Sequence, residues 1–350
     1  MEEYIQLLRT MIQTPSFSKE EEPVARLVRN FLTSKSVTYQ VKGMNTWARN
    51  KYWEEGKPVI LLNSHIDTVK PVKNWTKDPF GAELIDGKLT GLGSNDAGAS
   101  LVTLLAVFVH FYASDDLPYN LMFAASAEEE ISGPNGMECL IEELEQIDLA
   151  IVGEPTQMQM AIAEKGLMVL DCVAHGRAGH AARNEGENAL YKAIDDITIL
   201  RNYKFEKVSE VLGEVKMSIT QIQAGYQHNV VPDNCSFVVD VRTNEFYSNQ
   251  RACEIIRELV QADVTPRSTR LNSSGIPVAH PIVQRGLSLG RTYYGSPTTS
   301  DQAVMPFPSI KIGPGDSARS HTADEYILIS EIEHGFETYV ALLKDLQITA

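Results

Sequence analysis

Four short apolar runs punctuate the chain, at 59–62, 121–125, 149–152 and 309–312. Each is nearly continuous in apolar character and bounded by polar or turn-forming residues, the pattern of strands buried on both faces. Helical periodicity lies between them. Ile5, Leu8, Met11 and Ile12 share one face, and Val24, Leu27, Val28, Phe31 and Leu32 share another, with Thr14-Pro15-Ser16 breaking the chain between the two helices. Residues 101–111 are apolar nearly all round, which predicts a helix buried on most sides. A last helix places Ile329, Ile332, Phe336, Val340 and Leu343 on one face. Strands alternating with helices predict an α/β layer, with a mostly parallel sheet and helices on both faces.

The pattern changes between residues 166 and 271. There the apolar periods read strand (167–174), helix (188–200), strand (215–222), strand (235–241), helix around Ile255 to Val260, and a last strand near Val264. That order, βαββαβ, is the ferredoxin-like plan of one small sheet with helices on one face. It interrupts the α/β pattern, so the chain divides into 1–165 with 272–350, and an inserted domain at 166–271.

The chemistry gathers where the strands end. His65 and Asp67 follow the first run, Glu128-Glu129-Glu130 the second and Glu154 the third; His321 lies in the glycine-rich loop after the fourth. Asp96 sits in a glycine-rich loop just before the buried helix. In open α/β sheets the ligand crevice lies beyond the carboxyl ends of the strands, so these residues can converge. Three adjacent acids are costly to dehydrate unless a cation or solvent meets them. In an extended segment residues i and i+2 point the same way, so Asp67 can hold one ring nitrogen of His65 while the other binds a metal. Imidazole with carboxylate suits zinc, with cobalt or manganese next, and two His with three carboxylates exceed the needs of one tetrahedral ion. A bridged pair of ions follows.

Composition narrows the classes. A net charge of −15 argues against nucleic-acid or anionic-membrane partners, and no window has the continuous apolar length of a membrane span. Cys139, Cys172, Cys235 and Cys253 are scattered without metal-finger spacing and read as reduced thiols; with Met1-Glu2-Glu3-Tyr4 lacking the plan of a signal peptide, a cytoplasmic protein is expected.

Taken in order, these segments resemble the M20 metallohydrolases, a family that includes acetylornithine deacetylase, succinyl-diaminopimelate desuccinylase, carboxypeptidases and aminoacylases. The resemblance runs through Ser64-His65-Ile66-Asp67-Thr68-Val69, Trp75 with Asp78-Pro79-Phe80, Gly91-Leu92-Gly93-Ser94-Asn95-Asp96 and Glu128-Glu129-Glu130. It continues through Gly153-Glu154-Pro155-Thr156, the Gly-Arg-Ala-Gly-His of 176–180, Asn229-Val230-Val231-Pro232-Asp233, Asp240-Val241-Arg242 and Ser320-His321-Thr322. It implies that His65, Asp96 and Glu154 hold one divalent ion and Asp96, Glu130 and His321 the other, Asp96 bridging, with a cis peptide after it. Asp67 would orient His65, and Glu129 would be the general base. The inserted domain would form a homodimer, across which His180 donates to the oxyanion and Asn229 contacts substrate. Arg242 would clamp the substrate carboxylate. Glu128 is left as a hydrogen-bond acceptor behind the metals, and His228 is the spare histidine nearest these motifs. His110, His175, His280 and His334 match no ligand position.

Leu92 and Ala97-Gly98-Ala99 stand where relatives often carry Arg and Lys-Gly, which bears on substrate choice and loop packing and not on metal binding. The expected function is therefore removal of an N-acyl group from a small amino acid that keeps its carboxylate, first as an acetylornithine deacetylase-like step of arginine synthesis. Desuccinylation of N-succinyl-ornithine, N-succinyl-citrulline or N-succinyl-diaminopimelate, and dipeptidase or aminopeptidase action, are alternatives on the same centre. From another class stands a metal- or peptide-binding protein without catalysis, against which Glu129 and Asp96 are both present. A serine hydrolase fails for want of a Gly-x-Ser-x-Gly elbow around Ser64.

Overall fold

The structure, a computed structural model, describes residues 1–348 apart from residue 145. Helices α1 (Glu2–Ile12) and α2 (Glu22–Ser34) lead into strands β1 (Tyr39–Lys42), β2 (Asn45–Arg49), β3 (Val59–His65), β4 (Glu83–Ile85) and β5 (Lys88–Thr90). Helix α3 (Ala99–Phe111) precedes β6 (Asn120–Ser126), and α4 (Met137–Ile141) precedes β7 (Leu149–Val152) and β8 (Met160–Glu164). Strand β9 (Met168–His175), helix α5 (Ala189–Asn202), β10 (Lys216–Ala224), β11 (Asn234–Arg242), α6 (Asn249–Leu259) and β12 (Asp263–Pro266) follow. The chain closes with β13 (Ser274–Gly275), α7 (Pro281–Ser288), β14 (Tyr293–Ser296), β15 (Ser309–Lys311), β16 (Tyr326–Leu328) and α8 (Ile329–Leu343).

Two compact units result, Met1–Ile162 with Gly275–Tyr294 and Ser300–Ala350, and Ala163–Ser274 with Gly295–Thr299. The second begins and ends a few residues outside 166–271, and it takes in a short return at 295–299 that carries no periodic signal.

Among the described residues the main sheet runs β1-β2-β6-β3-β7-β15-β8-β13, with β14 also on β8. Its centre is parallel, β6 with β3, β3 with β7 and β7 with β15; β1, β2 and β8 pair antiparallel toward the edges. Every residue of β3, β6 and β7 is buried, as continuous apolar runs require. Alternate residues face opposite layers. Leu61, Met122, Ala124, Ala150 and Val152 pack with Met137 and Leu140 of α4. On the other face Phe123 stacks against Phe108 of α3, with ring centroids 5.8 Å apart. Residues Ser94–Phe111 are apolar enough to cross a membrane by length and composition alone, yet most of them are buried in this core. Helix α8 buries Ile332, Gly335, Tyr339, Leu342 and Leu343, a face turned from the one centred on Phe336 and Val340. Gly335 is the reason: a Cβ there would stand 3.3 Å from Pro314, so the helix packs closest where it has least side chain.

The second unit has strand order β10-β11-β9-β12, antiparallel throughout. Met168, Leu170, Cys172 and Ala174 of β9 alternate inward with Cys235, Phe237, Val239 and Val241 of β11, and Ala189, Ala193, Ala252 and Ile256 of the two helices close the core. A third, small sheet pairs β16, β5 and β4.

Candidate metal centre

Parallel strands ending side by side bring the predicted residues together. His65 closes β3 and is buried. Its Nδ1 lies 2.9 Å from the Asp67 carbonyl oxygen and 3.3 Å from that residue's carboxylate. Facing the two oxygens of Asp67, Nδ1 carries a proton, which leaves Nε2 as the nitrogen turned into the site. Around Nε2 stand Asp96 Oδ1 at 3.4 Å, Glu154 Oε1 at 3.7 Å and Glu129 Oε2 at 4.0 Å. On the other side, His321 Nε2 is 2.9 Å from Glu130 Oε2 and 3.7 Å from Asp96 Oδ2. Asp96 thus turns one oxygen to each imidazole. The Asp96–Ala97 peptide is cis.

Candidate ligand atoms within 4.8 Å of one another form two groups, His65 with Asp96 and Glu130, and His65 with Glu129 and Glu154. These groups divide the acids differently from the sets the resemblance implies: Glu130 joins His65 and Asp96, while Glu154 lies with His65 and Glu129. Glu129 falls within ligand reach as well, which the sequence does not indicate.

The electrostatics fit cations. Burial raises Glu129 well above the usual carboxylate range, and Glu154, Asp301 and Glu130 add to it against His65. Burial, then the charge of Asp96, lifts Glu154 to about 8. His321 is raised to about 9, chiefly by its hydrogen bond with Glu130. Burial alone would lower His65, but Asp67 and Asp96, then Glu129 and Glu154, hold it well above its ordinary value. Two imidazoles face four acids, so charge of positive sign is lacking, and oxygen with imidazole nitrogen is the donor set of divalent ions. The residues present fit two such ions.

Asp67 does more than the expected orientation of His65. Its carboxylate accepts from Ser18 Oγ at 2.7 Å and from the backbone N–H groups of Glu129 and Glu130, each at 3.1 Å. It ties the acid cluster to the strand that carries His65. Glu128 points away: its side chain accepts from the Asn135 amide at 3.0 Å, and a Cβ on Gly133 would meet it at 2.0 Å. The Glu128 N–H donates to the buried Glu21 at 3.1 Å.

Three further acids escaped the sequence. Glu21 and Asp301 are buried, and Asp301 accepts from Ser126 Oγ at 2.6 Å and, with the Asn63 amide turned nitrogen-first, from Asn63 at 3.1 Å. Burial pushes Asp301 up to about 6. Glu325, also buried, accepts three backbone N–H groups of the 93–96 loop and is raised to about 7 by burial. Lone acids in polar stretches carry no periodicity to betray them; the nearest signal is the Asp324-Glu325 pair just after His321.

The second unit holds the other candidates. The 176–182 and 229–231 segments are stitched together by Ala181 N to Asn229 O at 3.0 Å and Val231 N to Gly179 O at 2.8 Å. His180 and Asn229 are both exposed. His180 Nδ1 accepts the Ala182 N–H at 3.1 Å, so the neutral ring carries its proton on Nε2. Arg242 has a partner on its own strand: its Nε and Nη2 donate to Asp240 at 2.8 and 3.1 Å. The two residues point to the same side of β11, so the fork expected to meet a substrate carboxylate is engaged by its own strand. His228 is exposed in the same loop. His175 lies between Asn234 and Asp263, His110 packs on Phe111 and Phe336, His280 caps α7, and His334 meets Arg291.

Comparison with known proteins gives the family and the fold. The Xylella fastidiosa succinyl-diaminopimelate desuccinylase is 25% identical and covers 99% of both chains. Aminopeptidase PepT of Bacillus cereus superposes with a TM-score of 0.79 at 17% identity, covering 98% of each chain. YXEP of Bacillus subtilis, a dinuclear metal-binding peptidase of the M20 family, does so at 0.74 and 17%, over 98% of this chain and 97% of its own. Residues 61–345 match the model of peptidase family M20/M25/M40, and the chain belongs to that family.

Proposed function

We propose that this M20 hydrolase removes an N-acyl group from an amino acid, hydrolysing the amide to a carboxylate and a free amine. The observation that carries the reading is Glu129, a half-buried carboxyl raised above the carboxylate range with its Oε2 4.0 Å from the His65 nitrogen turned into the site. A carboxylate so placed is within reach of a water held between the imidazoles and can take its proton. Zinc or, next, cobalt, held by His65, Asp96, Glu130, Glu154 and His321, would polarise the amide carbonyl and acidify a water beside it.

Glu129 takes the proton of the attacking water and passes it to the departing nitrogen, so the amine leaves neutral. Asp67 fixes Glu129 through the backbone N–H and His65 through its Nδ1. His180, with its proton on Nε2, donates to the oxygen of the acyl carbonyl as charge develops there. In our reading it does so in the partner subunit of a homodimer built on the second unit. Supporting that dimer, β10 is an exposed sheet edge, and Tyr191, Ile194 and Ile199 on α5 are exposed at 66%, 47% and 43%. The four free cysteines, three of them buried, support a cytoplasmic enzyme.

Relatives named for desuccinylation support an N-succinyl substrate over the acetyl group of the first expectation. The test is a panel of N-succinyl-, N-acetyl- and dipeptide substrates with the metal-loaded protein, before and after chelation. Cleavage of an N-acyl amino acid, lost on chelation and restored by zinc or cobalt, is expected. Dipeptides as the sole substrates would move the reading to peptidase, and insensitivity to chelator would end the mechanism.

A further inference from the structure

Asp96 and His321 come from loops far apart in sequence, and two buried side chains join those loops in opposite directions. From the His321 loop, Glu325 reaches back to the Asp96 loop. Its Oε1 accepts the N–H groups of Asn95 and Asp96 at 2.8 and 2.9 Å, and its Oε2 that of Gly93 at 3.0 Å. The Glu325 carbonyl oxygen also accepts the Gly91 N–H at 2.9 Å. From the Asp96 loop, Asn95 reaches the other way. Its Oδ1 accepts the Asp316 N–H at 3.0 Å, and its Nδ2 donates to the Asp316 carbonyl at 3.1 Å and to Ser320 Oγ at 3.4 Å.

The fit leaves little slack. Glu325 is 2% exposed and Asn95 fully buried. Gly315 has φ +90°, and a Cβ there would stand 2.3 Å from Asn95 Oδ1. Ser320, which meets Asn95, also hydrogen-bonds the Asp96 carboxylate. Next to Glu325, Asp324 accepts from Thr76 N and Lys77 N at 2.9 and 3.0 Å, anchoring the loop from its outer side.

We propose that Glu325 and Asn95 form a reciprocal clamp that presents Asp96 and His321 as one preassembled pair, which makes Glu325 a positioning residue of the metal centre. Three N–H donors on one carboxylate fix the backbone on which Asp96 turns its two oxygens to the two imidazoles. A ligand set held in place before the ion arrives binds it more tightly than one that must be ordered on binding. This inference rests on the metal-centre reading given above.

The test measures zinc and cobalt affinity of the native chain, Glu325→Gln and Glu325→Ala by competition with a chromogenic chelator, together with the Tm of each metal-free protein. Gln keeps an acceptor for Asn95 and Asp96 but turns a donor toward Gly93, so affinity should fall in the order native, Gln, Ala, by about tenfold or more for Gln. Asp148→Asn serves as control: Asp148 accepts the Val59 N–H at 2.8 Å at the opposite end of β3. It should cost stability and leave metal affinity unchanged. Glu325 variants that bind metal like the native chain, or a control that weakens binding as much, would overturn the clamp. If Glu325→Ala does not fold, the Gln variant decides alone. A native chain that takes up no metal would instead defeat the metal-centre reading itself.

Discussion

The two units keep their candidate residues under opposite conditions. In the first, His65 and Asp67 are nearly inaccessible, and Glu129, Glu130 and Glu154 crowd toward them at the strand ends. In the second, His180 and Asn229 are exposed and, among the described residues, bonded to their own neighbourhood, and Arg242 is paired with the acid two positions before it. The first arrangement is costly unless cations complete it, because buried carboxyls repel one another. The second is stable as it stands. A buried acid cluster therefore carries its own argument for a ligand, whereas an exposed motif gains a role only from what meets it.

Glu129→Gln puts the sharpest strain on that contrast. As the base, Glu129 should be worth roughly 10²–10⁴-fold in kcat, with metal affinity unchanged because His65, Asp96, Glu130, Glu154 and His321 remain. Its place within ligand reach of His65 and Glu154 gives the other outcome. If calorimetry shows one equivalent of metal lost together with activity, Glu129 is a ligand and the proton acceptor lies elsewhere.

Smaller losses are expected from the exposed side. His180→Ala should lower kcat about 10²–10³-fold, the cost of one oxyanion donor, while metal content stays at the native level. Arg242→Ala separates two readings of one residue. As a substrate clamp it should raise KM about tenfold or more, in line with 1.5–3 kcal/mol for a charge-assisted bond. As a partner of Asp240 alone it should leave KM in place. An unchanged KM would confine Arg242 to the strand on which it sits.

The same contrast explains what was legible in the sequence. Strands β3, β6, β7 and β15 showed themselves because burial on both faces demands consecutive apolar residues, and most of the candidate ligands could be singled out because they follow those runs. The alternation of β9 and β11 gave the second unit its plan. Strand β1 is largely exposed and β4 and β5 have three residues each, too few for a period to mark them. Glu325 follows Thr322-Ala323-Asp324 like any surface acid, and only the approach of the 93–96 loop buries it. The offset face of α8 was hidden because apolarity counts large side chains, while Gly335 packs through the lack of one. The engagement of Arg242 was the reverse case: Asp240-x-Arg242 on a strand states the ion pair openly, and the family pattern outweighed it.

Asp171→Asn gives the smallest effect and closes the comparison. On β9, Asp171 accepts from Arg267 Nε and Nη2 at 2.9 and 2.8 Å, but both side chains are about half exposed. The hydrogen bond from Arg267 is the main cause lowering the Asp171 pKa, so the native state binds this proton less readily than the unfolded chain. Stability from the pair is then present above the unfolded value near 3.9 and is lost as pH falls through the lower native value. Water screens an exposed pair, so the variant should cost only about 0.2–1 kcal/mol at pH 7. The difference from the native chain should shrink at high salt, and at low pH it should vanish. Denaturant titrations at pH 7 and pH 3, in low and high salt, measure it. A deficit that persists unchanged at pH 3 and in high salt would mean that Asp171 contributes through packing, and that the second unit depends on buried contacts at its surface much as the first does at its centre.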